Sequence, residues 1–79
     1  MTKDEAIQII RQSYQWNGPV RFEVELEDVF VFSVERGWEL VVVNKETKKP
    51  SWEDELSEEA VNSIYRRRYK AIRQNNRLS

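Results

Sequence analysis

Neither cysteine nor histidine occurs among the 79 residues. Without cysteine there are no disulfides and no thiolate metal sites, which fits a reducing compartment. Without histidine, the imidazole base of a serine or cysteine nucleophile is missing, and so are the commonest zinc ligand sets. Glycine and proline are scarce, two of each. The glycines, Gly18 and Gly37, stand far apart at turn positions, so the chain has neither G-x-x-x-x-G-K-[ST] nor G-x-G-x-x-G to cradle a phosphate. No apolar run approaches the ~20 residues that span a bilayer. The start, Met-Thr-Lys-Asp-Glu, lacks the apolar segment of a signal peptide. Charge of one sign is lacking too: 14 acids face 13 bases, for a net charge of −1. Glu53, Asp54 and Glu55 could meet a hard cation, but no loop has calcium-ligand spacing, and acids there complement a helix N-terminus. This inventory predicts a cytoplasmic protein with no catalytic residues, no cofactor and no metal site.

What the chain does have is concentrated between residues 20 and 44. Most of its β-branched and aromatic residues lie there, in runs separated by turn signals. The runs read as a three-stranded antiparallel meander over 20–26, 30–34 and 38–43. In the first, Phe22, Val24 and Leu26 alternate with Arg21, Glu23, Glu25 and Glu27, so one face is apolar and the other charged. The other two are apolar at both parities, and turn chemistry must set their register. A three-residue loop Glu35-Arg36-Gly37, with glycine at a left-handed position, would pair Val34 with Trp38, Phe32 with Leu40 and Phe30 with Val42. A similar loop, Glu27-Asp28-Val29, would align Leu26 with Phe30. The buried face is then Phe22, Val24, Leu26, Phe30, Phe32, Val34, Trp38, Leu40 and Val42.

Helical signals bracket the meander. Thr2 and Glu5 form a capping box ahead of Ala6, Ile7, Ile9, Ile10 and Tyr14 at helical spacing. Asn17-Gly18-Pro19 cannot continue that helix, which is expected over 3–15. Residues 44–50 are polar and turn-rich, and the isolated Trp52 is expected to plug the core. Ser57 caps a second helix over 58–74, with Val61, Ile64, Tyr65, Arg68 and Ile72 on one face. Arg68 interrupts that face; its stem can pack while the guanidinium reaches a strand carboxylate. The fold class is therefore α+β, a single domain over 1–79 in the order α-β-β-β-α, with fraying last residues and two helices packed on one sheet face. Double-stranded-RNA-binding domains share this order. Their lysine cluster at the start of the last helix is replaced here by Ser57-Glu58-Glu59-Ala60, which would repel phosphate, and the chain is not assigned to them.

Two surfaces remain for function. One is the open sheet face, where Val31, Val41 and Val43 form an apolar strip bordered by Glu23, Glu25 and Glu39, as partner sites often do. It predicts a small intracellular protein-interaction module, a regulator or accessory protein that binds a protein partner or itself through this face or an edge strand. The other is the stripe of Arg66, Lys70, Arg73 and Arg77 at i, i+4, i+7 and i+11, flanked by Tyr69. No glutamate lies four residues ahead of any of these bases, so no local ion pair neutralises them. The stripe gives the alternative, nucleic-acid binding through the second helix.

Overall fold

The computed structural model describes residues 1–34 and 39–78, with side chains through Gln74. Helix α1 runs Lys3–Tyr14, and Thr2 Oγ1 accepts the Glu5 amide at 3.2 Å, the N-cap half of the expected capping box. Gln15 ends the helix in the left-handed region, with φ 50°. The Arg11 guanidinium then donates to the carbonyls of Trp16 and Gly18 at 3.2 and 2.9 Å, tying the last turn to the sheet entry.

The sheet has four strands rather than three, ordered β1 (Val20–Glu25), β2 (Val29–Val34), β3 (Glu39–Asn44) and β4 (Pro50–Trp52), all antiparallel. The added strand comes from a tight hairpin. Asn44 Oδ1 accepts the amides of Glu46 and Thr47 at 2.8 and 2.9 Å, Lys48 turns through φ 60°, and the Asn44 amide reaches the Lys49 carbonyl. This delivers Trp52 opposite Val41, where it packs on the core beside Tyr14 and Trp16. A single 3-10 turn, Glu53–Glu55, leads to helix α2, Glu58–Leu78. Ser57 Oγ caps α2 by accepting the Ala60 amide at 3.1 Å, and the helix continues four residues beyond the expected end at Gln74.

The register corrects the expected faces. Val34 lies opposite Glu39, Phe32 opposite Val41 and Phe30 opposite Val43, one residue away from the pairing expected of a three-residue loop. Residues 35–38, with Gly37 and Trp38 of the expected pairing, lie outside the described residues. A one-residue shift turns every β3 side chain to the other face of the sheet. In β1 a bulge at Glu23 does the same within one strand. Phe22 pairs with Phe32, but Val24 pairs with Val31. The alternation of Phe22, Val24 and Leu26 therefore does not mark one face.

The helices consequently lie on opposite sides of the sheet, not on one. Ala6 and Ile10 of α1 pack with Phe30, Phe32, Val34, Val41 and Val43. Ile64 of α2 packs with Val24, Leu26, Val29, Val31, Leu40 and Val42, with Ala71 against the same cluster. A sheet whose inner strands are apolar at both parities needs a cover on each face, and each amphipathic helix supplies one.

Candidate functional site

The open strip expected on the sheet does not exist. Val31, Val41 and Val43 are each fully buried, and they are divided between the two faces: Val31 lies under α2, Val41 and Val43 under α1. Their acidic border is dispersed as well. Glu23 is engaged by α2, Glu25 receives Lys45 Nζ at 2.6 Å, and only Glu39 stands exposed without a partner among the described residues. A second helix covers what the shifted register would otherwise leave open.

Two arginines of α2 reach carboxylates on the sheet side. Arg67 bonds the Asp28 carboxylate at 2.7 Å. Burial pushes the Asp28 carboxyl up, but the hydrogen bonds from Arg67 and from backbone outweigh it and leave the group below its usual range. Arg68 pairs with Glu23, whose other oxygen accepts the Ser33 hydroxyl at 3.0 Å. The bulge at Glu23 aims this carboxylate at the helix, and the pair answers the expectation that Arg68 reaches a strand acid. Ser33 is the one polar residue buried among the described residues.

With Ile64, Ala71, Arg67 and Arg68 turned to the sheet, 100° per residue carries Arg66, Tyr69, Lys70 and Arg73 to the far side. All four are exposed, and among the described residues none of the three bases forms an ion pair. The stripe thus exists as a surface through Arg73, while the Arg77 side chain lies outside the described residues. Among the described residues four large apolar side chains are exposed: Phe22, Tyr65, Tyr69 and Ile72. The last three share one flank of α2 at i, i+4 and i+7, at 42%, 65% and 39% exposure, and Tyr69 is the most open of them. Tyr65 and Ile72 escaped the sequence reading because their period matched a buried face. The signal that separates them is angular, since Arg68 beside them is the edge of the packed face.

At its other end α2 is acidic, with Glu58 and Glu59 exposed in the first turn. Tyr65 donates its hydroxyl to Glu53, which raises the phenol above its usual range, helped by burial. Tyr14 is likewise raised, by burial and then by the Glu55 carboxylate that accepts its hydroxyl at 3.3 Å. Glu55 also accepts the Trp52 amide at 3.0 Å, so two of the three acids before α2 are occupied by structural hydrogen bonds. Among the described residues no three acids converge on a metal position, and no helix is long and apolar enough to cross a membrane.

A cleft of about 350 Å³ separates α2 from the β3–β4 hairpin, floored by Val42, Leu56 and Ile64 and rimmed by Asn44, Ser51 and Arg67. Its arginine is committed to Asp28. The outer face of α2, by contrast, combines apolar side chains with uncommitted charge. No protein-family model, curated protein or solved structure matches the chain.

Proposed function

We propose that the chain is a non-enzymatic protein-interaction module, a regulator or accessory protein, whose contact surface is the outer face of α2. The observation that carries this reading is the ridge of Tyr65, Tyr69 and Ile72 lying beside Arg66, Lys70 and Arg73. Spacing of i, i+4 and i+7 is how an amphipathic helix anchors in a groove. Tyrosine and arginine are also the residues in which interface energy concentrates, because they bury large area with a polar tip. The apolar strip expected on the sheet is absent from the surface, since Val31, Val41 and Val43 are buried against the helices.

Nucleic-acid binding is the second reading, supported by three exposed bases without ion pairs next to an exposed tyrosine. One experiment separates the two. The wild type and a Tyr69→Ala/Ile72→Ala variant are used to capture proteins from a lysate and are titrated against labelled DNA and RNA at low salt. The protein-interaction reading expects a captured partner whose affinity falls at least about tenfold in the variant. It fails if the variant holds every partner as tightly as the wild type. Nucleic-acid binding expects affinity that falls with salt and vanishes on changing Arg66, Lys70 and Arg73 to Glu, with no such binding removing that reading.

A further inference from the structure

The outer face of α2 carries a charge order that matches its own reverse. Glu59, Arg66 and Arg73 are all exposed and lie seven residues apart, on one line along the helix. Next to that line runs the seam Asn62, Tyr65, Tyr69 and Ile72, with alternating steps of three and four. Spacings of this kind are those at which two helices interlock side by side. Resting on the reading of this face given above, we infer that its partner is a second copy of this chain, bound antiparallel through α2 about a two-fold axis.

The geometry follows from the order of the residues. Antiparallel alignment of the seam sets Tyr65 beside the second copy's Tyr69, and the two-fold repeats this contact. Two aromatic pairs then form the centre of the contact, with Asn62 facing Ile72 on either side. The charged line meets itself reversed, so Glu59 faces Arg73 at both ends. The seam centres on the level of residue 67, so the charged pairs are staggered by two residues, about 3 Å, which long side chains span. Only Arg66, next to the axis, faces its own copy. A parallel arrangement would set like against like at all three positions, and it would align the helix dipoles unfavourably. A polyanion would engage the bases alone and gain nothing from Glu59 or Ile72. The contact is isologous, closing on two copies and leaving no surface to propagate.

Sedimentation of the purified chain from micromolar to millimolar concentration tests this. The wild type is expected to form a concentration-dependent dimer that weakens as salt rises. Glu59→Arg and Arg73→Glu should each weaken it about tenfold or more, because each change places like charges together at two symmetric contacts. The combined Glu59→Arg/Arg73→Glu variant restores opposite charges at both ends and should recover the wild-type dimer. Arg66→Gln should tighten it severalfold by removing the repulsion next to the axis. Circular dichroism of each variant checks that the fold is retained, and any variant that unfolds is replaced by Glu59→Gln or Arg73→Gln, which should weaken the dimer less. A wild type that stays monomeric at millimolar concentration overturns the inference, as does a charge-swapped variant no tighter than its single parents. Either failure with Tyr69→Ala/Ile72→Ala still losing a lysate partner leaves α2 as a contact surface for a different protein. A monomer that binds an oligonucleotide in its place assigns the face to nucleic acid.

Discussion

Phe32→Ala is expected to remove about 3–5 kcal/mol of stability, which is most of what a domain of this size possesses. Phe32 is fully buried on an inner strand. It faces Phe22 across β1 and Val41 across β3, with the Phe22 and Phe30 rings 5.9 and 6.4 Å away. Truncation removes the ring's transfer free energy and leaves a cavity that cannot collapse, because strands pinned on both sides hold its walls apart. Urea denaturation checks this, and a loss under about 1 kcal/mol would take Phe32 out of the core.

A second large effect is expected from Val41→Thr combined with Val43→Thr. On an open sheet face this pair of changes would cost little, since threonine keeps strand propensity. Both valines are fully buried, however, beneath α1. Each threonine would bring a hydroxyl into a site where the backbone groups are already paired along the ladder, at about 1–3 kcal/mol apiece. The double variant should therefore lose about 2–6 kcal/mol and unfold at markedly lower urea. A midpoint unchanged from the wild type would mean that the α1 side of the sheet is open to water.

Much of the fold was legible in the residues, and the places where it was not have specific causes. Caps at Thr2 and Ser57, the breaker Asn17-Gly18-Pro19 and the apolar runs located both helices and three strands, because those signals are local. Strand β4 is only three residues long and begins at Pro50, too short to display a period, although the Asn44 side-chain turn that creates it is a sequence signal. The faces were lost to one bulge and one register step, neither of which leaves a mark in a two-residue alternation. The clue that could have found them is that Val29–Val34 and Glu39–Asn44 are apolar at both parities. A sheet with one wet face does not need that composition. At the candidate site, Arg66, Tyr69, Lys70 and Arg73 were readable because helical angles alone set them opposite the packed face. Tyr65 and Ile72 were not, since their exposure depends on the rotation of α2, set by contacts of Ile64, Ala71, Arg67 and Arg68 with the sheet side.

Both sheet faces are closed by helices, which removes the sheet as an open contact surface and underlies the proposal for the outer side of α2. The chain's lack of cysteine makes a direct measurement simple. Single-thiol variants Val31→Cys, Val41→Cys and Tyr69→Cys can be titrated with a thiol reagent in buffer and in denaturant. The Tyr69→Cys thiol should react in the folded protein nearly as fast as in the unfolded chain. The Val31→Cys and Val41→Cys thiols, one on each sheet face, should be slower by about a hundredfold or more until the chain unfolds. If either reacts in the native protein as fast as Tyr69→Cys, that face of the sheet is open and the account is contradicted.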